Sequence, residues 1–178
     1  ILDRSGSMSG LERDTIGGFN AMINKQRKQK GKVLVSTVLF DDETKVLYDR
    51  IEIQKIPQMS EHDYTVGGCT ALFDAIGGAI HLFNSNQIRQ MLQRQKTRYG
   101  WEFLFLGANI DAVETAKNFG IEEERAVTYK CDAKGTALNY EAIGEAITTV
   151  RCNALLDRRW KEKIEEDHRK RGKEKQRS

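Results

Sequence analysis

The stretch ILDRSGSMSG, residues 1–10, sets an apolar pair directly in front of a loop of small and polar residues. A strand averages about five to six residues, so we interpret Ile1 and Leu2 as the end of a strand that begins upstream. Asp3, Ser5 and Ser7 alternate behind that pair, and Gly6 gives the backbone freedom to turn. The spacing predicts three oxygen-bearing side chains that face one point at the carboxyl end of a strand.

Three oxygen ligands suit a hard cation. Magnesium binds six oxygens in near-octahedral order and keeps several waters among them. A few protein oxygens are therefore enough, and hydroxyls can serve as ligands when one carboxylate supplies negative charge. Two other interpretations stay open. Asp3 could cap the following helix from a Gly/Ser-rich turn, or it could accept a phosphoryl group in a Mg²⁺-dependent enzyme. The enzyme lacks the acid–base carboxylate expected two residues later, where Ser5 stands.

The composition excludes several functional classes. Residues 161–178 hold eight Lys/Arg and five Asp/Glu, and the other residues carry 21 of each sign. The body of the chain therefore lacks the concentrated cationic surface that nucleic acids require. No apolar run approaches the roughly 20 residues that span a bilayer. The G-x-S-x-G, P-loop and G-x-G-x-x-G patterns of hydrolases and nucleotide-binding proteins are also absent from the sequence.

The three cysteines, Cys69, Cys131 and Cys152, are odd in number, widely spaced and without a C-x-x-C pattern. This spacing matches neither a zinc site nor a disulfide framework. We expect free thiols in a reducing compartment, which favours a cytoplasmic location.

The rest of the chain alternates helices and strands. Helices are predicted over 11–30, 71–83, 86–96, 111–120 and 139–156, and strands over 32–40, 45–53, 101–107 and 125–130. The strands at 32–40 and 45–53 are expected to pair antiparallel across the turn DDET, and the first of them reads as buried on both faces. The alternation predicts an α/β fold with a doubly wound, mainly parallel sheet, one antiparallel edge strand and helices on both faces. Ligands of such sheets bind at the carboxyl ends of the strands.

One place interrupts the alternation. A predicted helix ends near Phe83 and the next begins near Asn86, with only two residues between them. Either two helices adjoin here or a segment is absent from this sequence, and we expect the natural protein to contain a further strand with its connections, about 20 to 40 residues, at this point. An intact mass of the natural protein equal to the 20.3 kDa of this chain would contradict that expectation.

Four stretches together resemble a known family. DRSGSM resembles the D-x-S-x-S motif that follows the first strand of von Willebrand factor type A domains and forms their metal-ion-dependent adhesion site. GGCTALFDAIGGAI resembles the segment that adds a threonine to that site. STVLFDD and WEFLFLGANIDA are similar to a bacterial subgroup of these domains, and the resemblance runs from Ile1 to about Cys152.

The resemblance implies a metal site formed by Asp3, Ser5, Ser7 and Thr70. It implies that Mg²⁺, or else Mn²⁺ or Ca²⁺, grips an Asp or Glu carboxylate of a partner protein, without enzymatic activity. The family's further aspartate, in a T-D-G sequence, is absent here, and its strand would fall at the interruption before Asn86. A metal-free scaffold with a degenerate site is therefore an alternative.

Other residues have weaker claims to a site. Asp41 and Asp42 are expected to form an ordinary hairpin turn. Asp74 lies one helical turn after the threonine and is expected either to hydrogen-bond it or to act as a capping carboxylate. Asn109 and Asp111 are interpreted as loop and helix-start residues.

The sequence also suggests where the folded domain ends. Residues 1–152 are predicted to form the domain, and residues 153–178 a charged helical or disordered tail exposed to solvent. Trp101 and the phenylalanines of WEFLFLG are expected in the core, and Cys69 is expected to be a packed small residue, since its soft sulfur suits Mg²⁺ poorly.

Overall fold

The computed structural model describes residues 1–68, 85–108 and 111–174. The chain divides into two compact units, Ile1–Asn84 and Ser85–Ser178. The boundary falls where the sequence pattern is interrupted. The described residues form α-helices, one mixed sheet and one parallel sheet, so the predicted α/β class is confirmed.

The first unit contains β1 (Leu2–Asp3), α1 (Glu12–Arg27), β2 (Leu34–Phe40) and β3 (Thr44–Glu52). The strand order is β1-β2-β3, with β1 parallel and β3 antiparallel to β2. The predicted helix and the predicted antiparallel pair are confirmed, and β3 lies at an edge of this three-stranded sheet.

Helix α1 forms where the sequence sets apolar residues at helical spacing. Phe19 and Ile23 lie one turn apart and are buried, and the Phe19 ring stacks on Tyr48 of β3 at a centroid distance of 6.4 Å. Acidic residues occupy the first turn and basic residues the last, which complements the helix dipole. The helix therefore packs one face on the sheet.

Strand β2 is buried only in its second half. Leu39 is fully buried, whereas Leu34 is 47% exposed. Leu34 pairs with Glu52, the last residue of β3, at the open end of the hairpin. The prediction of a strand buried on both faces along its whole length is therefore wrong for its first half.

The second unit contains α2 (Ser85–Tyr99), β4 (Phe105–Ala108), α3 (Ala112–Asn118), β5 (Ala126–Tyr129), α4 (Ala133–Arg151) and α5 (Glu162–Glu174). Strands β4 and β5 pair parallel, with Phe105 opposite Ala126. The predicted elements from 86 onward are present. Helix α4 begins six residues before its predicted start, because the Asp132 carboxylate accepts a hydrogen bond from Gly135 N and caps it.

Trp101 is not a core residue. Its side chain is 55% exposed, and it stands before β4, which begins only at Phe105. Gly100 ends the preceding helix with a positive φ of 65°, and the indole lies beside Phe103 at 5.9 Å. Phe105 alone of the aromatic residues in WEFLFLG is counted in the buried core.

The charged C-terminal segment packs into the second unit. Trp160 and Ile164 are buried in one cluster with Val127 and Tyr129 of β5. The Lys161 ammonium is also buried and donates to the carbonyls of Glu123 and Ala126 at 2.7 and 2.8 Å. The interpretation of this segment as a solvent-exposed end is therefore wrong for Trp160, Lys161 and Ile164.

None of the helices in the described ranges is long and apolar enough to cross a membrane. Cys131 and Cys152 form no disulfide among the described residues. Cys69 and the predicted helix at 71–83 lie outside the described residues.

Candidate metal centre

The loop from Asp3 to Ser7 leaves the sheet at the carboxyl end of β1. Strand β1 pairs with the end of β2, Asp3 opposite Phe40, and Arg4 N donates to Phe40 O at 2.8 Å. Because the two strands are parallel, their carboxyl ends meet at the same edge. The sequence-predicted site residues Asp3, Ser5 and Ser7 therefore begin where an open α/β sheet binds its ligands.

The loop gathers oxygen atoms. Ser5 N donates to Asp3 Oδ1 at 2.8 Å, and the Oγ atoms of Ser5 and Ser7 are 2.9 Å apart. Ser5 is fully buried, and a short 3-10 turn, Gly6–Met8, follows it. The prediction that Ser5 and Ser7 converge is confirmed.

Asp3 does not cap α1. The helix has Leu11 at its N-cap position, without a side-chain cap, and the Asp3 carboxylate turns back to the Ser5 amide instead. The alternative of a capping Asp3 is therefore wrong.

A distant segment, Tyr64–Gly68, holds the loop from the other side. Gly67 N donates to Arg4 O at 2.9 Å, and Gly6 N donates to Gly68 O at 3.1 Å. The Tyr64 hydroxyl donates to the Asp3 carbonyl. Thr70, the fourth predicted ligand, lies outside the described residues.

Gly68 can only be a glycine without strain. Its φ is +67°, and an ideal Cβ on it would overlap the Asp42 carboxylate. Asp42 thus lies against the segment that holds the loop. Asp41 accepts from Glu43 N at 2.8 Å within the connection between β2 and β3, so the predicted turn is confirmed.

Two aspartates near the loop, Asp3 and Asp41, differ in whether a basic side chain pairs with them. Arg4 Nε lies 3.1 Å from Asp41 Oδ2. Burial acts to raise the pKa of Asp41, but the Glu43 amide and the Arg4 guanidinium outweigh it and leave the pKa below 3.8. No Lys or Arg among the described residues forms an ion pair with Asp3. The Asp3 carboxylate is therefore not neutralised within the part of the chain described.

The oxygen positions fit a magnesium ion. Two ligands at right angles, each about 2.0 to 2.1 Å from Mg²⁺, lie about 2.9 Å apart. The Ser5 and Ser7 hydroxyls, which are hydrogen-bonded to each other, have this separation, and the one adjacent carboxylate would supply the charge that neutral hydroxyls lack. Asp3, Ser5 and Ser7 are the residues that would hold the ion.

The remaining candidates are not brought to this loop. Asp111 caps α3 by accepting from Glu114 N at 2.9 Å, so its predicted role as a helix-start residue is confirmed. Asp74 and Asn109 lie outside the described residues. Within the described ranges, no cluster of three or more His, Cys, Asp or Glu side chains could hold a metal ion. The predicted site has one such residue, Asp3, beside hydroxyls.

Sequence reasoning missed the residues that support the loop. Tyr64 belongs to no predicted motif, and Gly67 and Gly68 entered the prediction only as the start of GGCTALFDAIGGAI, so their contacts with the loop become visible only when the chain is folded. The pair Gly67-Gly68 was a usable signal, because adjacent glycines often mark a close backbone approach.

Comparison with protein-family models, with curated proteins and with solved structures found no match for this chain. The family resemblance stays a prediction.

Proposed function

We propose that this chain is a von Willebrand factor type A-like domain that binds a partner protein through a divalent metal ion. Asp3, Ser5, Ser7 and Thr70 hold the ion, which is Mg²⁺, with Mn²⁺ or Ca²⁺ as substitutes. The observation that carries the proposal is the Ser5–Ser7 hydroxyl pair, 2.9 Å apart, beside a carboxylate that is not ion-paired among the described residues.

Thr70 is consistent with this site by chain reach. In the sequence Thr70 comes two residues after Gly68, whose carbonyl accepts from Gly6 N inside the loop.

The metal would make the contact with the partner. Hydroxyl ligands leave the ion with excess positive charge, and a bound water can be replaced by an Asp or Glu carboxylate from the partner. The sequence identifies no general base for this loop, and the Asp41 carboxylate beside it is ion-paired with Arg4, which favours binding over catalysis.

The proposal includes the finer architecture and the location. A doubly wound, mainly parallel sheet with helices on both faces is supported by the parallel pairs β1–β2 and β4–β5 and by the antiparallel edge strand β3. A cytoplasmic location is supported by Cys131 and Cys152, which form no disulfide among the described residues.

The first test is metal binding by the full chain. Electron paramagnetic resonance titration with Mn²⁺ is expected to show one saturable site that Mg²⁺ displaces. Asp3→Ala is expected to weaken binding at least roughly 100-fold, since it removes the charged ligand. Asp49→Ala, an exposed aspartate in β3 of the same unit, is the matched control and is expected to bind as the wild type does. Equal Mn²⁺ affinity in the wild type and Asp3→Ala would overturn the metal site.

The second test asks whether the ion accepts a carboxylate. Water-proton relaxation of the Mn²⁺ complex reports exchangeable waters on the ion. Acetate, as a surrogate for Asp or Glu, is expected to lower this relaxation, whereas neutral acetamide is not. Unchanged relaxation in saturating acetate would contradict the partner contact while leaving the metal site intact. Turnover of a phosphate ester that is lost in Asp3→Ala would instead favour a phosphoryl-transfer enzyme.

A further inference from the structure

Tyr64 occupies a place that the metal ligands alone do not explain. Its side chain is 1% exposed, and its hydroxyl donates to the backbone carbonyl of Asp3, which stands 61 residues earlier in the chain. Asp3 is the single carboxylate of the proposed site. A buried hydroxyl is therefore joined to the residue whose orientation matters most for the ion.

The hydrogen bonds around Asp3 fix one peptide plane. The Asp3 carbonyl accepts from Tyr64, and the Arg4 amide of the same planar unit donates to Phe40 O at 2.8 Å. A peptide unit is rigid, so holding both of its polar atoms fixes its orientation. The side chain of Asp3 leaves the backbone directly before this unit, and its Oδ1 accepts from Ser5 N.

We propose that Tyr64 is a positioning residue of the metal centre. Its hydroxyl holds the Asp3 carbonyl, and the fixed peptide unit orders the loop from Asp3 to Ser7 so that the carboxylate and the hydroxyls stand ready for the ion. Partners of this outer kind commonly change metal affinity 10- to 100-fold when they are removed. This inference rests on the proposed function, because its consequence is a metal affinity.

The chain contains a matched control in the same unit. Tyr48 is also buried, but its hydroxyl has no hydrogen-bond partner among the described residues. Tyr48→Phe and Tyr64→Phe each remove one buried hydroxyl from a ring. Only the second removal leaves a backbone carbonyl without its donor.

The experiment compares the full-length wild type, Tyr64→Phe and Tyr48→Phe by two measurements. The first is amide hydrogen exchange by NMR in EDTA, with the Ser5 and Gly6 amides as reporters of the loop and the Leu39 amide as a reporter of the sheet. The second is the Mn²⁺ dissociation constant from paramagnetic resonance. Tyr64→Phe is expected to speed exchange at Ser5 and Gly6 and to raise the dissociation constant roughly tenfold, with Leu39 unchanged. Tyr48→Phe is expected to match the wild type in both.

Each other outcome counts against the inference. Unchanged exchange at Ser5 and Gly6 would show that Tyr64 does not order the loop. Equal acceleration at Leu39 would show a general loosening instead of positioning. Faster loop exchange with unchanged Mn²⁺ affinity would show that the order of the loop does not determine metal affinity, and would contradict the role of Tyr64 at the metal centre. A wild type that binds no Mn²⁺ would overturn the proposed function and the metal role of Tyr64 together, and the exchange at Ser5 would still show whether the tyrosine orders the loop.

Discussion

Parallel strands end in two polar clusters of opposite character. In the first unit, β1 leads to Asp3, whose carboxylate accepts from a backbone amide beside two hydroxyls. In the second unit, β5 leads to Asp132, whose carboxylate contacts Arg171, and Arg171 also contacts Asp167. The comparison shows that the fold pairs the carboxylates after β5 with basic side chains, whereas no Lys or Arg in the described ranges pairs with the carboxylate after β1.

The largest effect should come from removing the cation of the second cluster. Asp167 is buried and forms ion pairs with Arg171 and Lys134. Arg171→Ala would leave Lys134 as its one remaining partner among the described residues. Breaking a fully buried ion pair costs about 3 to 5 kcal/mol, and the remaining lysine should reduce the loss to about 2 kcal/mol of unfolding free energy. Urea unfolding followed by tryptophan fluorescence measures this unit, since both tryptophans, Trp101 and Trp160, lie in it.

The control for that variant is Arg159→Ala, because Arg159 pairs with Asp157 at an exposed position. Solvent screens an exposed pair, so its removal should change the unfolding free energy little. Mn²⁺ affinity should stay unchanged in both variants. Equal unfolding free energies for Arg171→Ala and Arg159→Ala would show that the cluster after β5 is not a structural ion pair.

A smaller effect is expected at the glycine that supports the first cluster. Gly68→Ala forces an alanine into a positive φ and against Asp42, which should cost about 1 to 2 kcal/mol and weaken Mn²⁺ binding. Gly67→Ala is the control, since its φ is not positive and an added Cβ there meets no atom within 4 Å. Exchange of the β2 amides and Mn²⁺ titration would check both, and equal values for the two variants would contradict the role of Gly68.

The smallest effect is the dependence of the second unit's stability on pH. Burial, with Lys130 and Arg171, lowers the pKa of His168 below 6.5 against the opposing Asp167. The unfolded chain therefore binds this proton more readily, and stability should fall as pH drops below about 6.5. Burial acts to raise the pKa of Asp132 and Asp167, but their hydrogen bonds and cations outweigh it and hold both below 3.8. A second loss should follow as pH falls below about 3.8.

Tryptophan-detected unfolding between pH 7.5 and 5 checks the first stage of this dependence. His168→Gln should flatten the curve there and leave the loss at lower pH in place. A slope that persists in His168→Gln would assign the titration to another group.

Local patterns predicted the elements well and their burial less well. The apolar spacing of Phe19 and Ile23 and the β-branched run into Leu39 were sufficient to predict α1 and β2. Leu34 and Trp101 belong to equally apolar stretches, yet both are exposed. Burial depends on which neighbours cover a residue, and composition does not contain that information.

The prediction for the charged C-terminal segment was wrong for a different reason. Trp160, Ile164 and Asp167 stand at helical spacing and are all buried. The many charged residues around them make the segment resemble a solvent-exposed helix, so the buried face could not be recognised from the sequence. The buried Lys161 depends on carbonyls more than 30 residues away, which no local pattern predicts. In DRSGS the contacts are local, and the approach of the Ser5 and Ser7 hydroxyls could be predicted from their spacing.

The bonds from Tyr64, Gly67 and Gly68 to the loop have a consequence for the order of assembly. The residues that offer the oxygens are made first during synthesis, and the residues that hold them follow some 60 positions later. Closing so long a segment costs chain entropy that grows with the logarithm of its length. On the ribosome, helix α1 and the β2–β3 hairpin can form from local contacts, whereas a nascent chain that stops before Tyr64 has the motif without its support. Affinity for the ion should therefore be acquired late in the folding of the first unit.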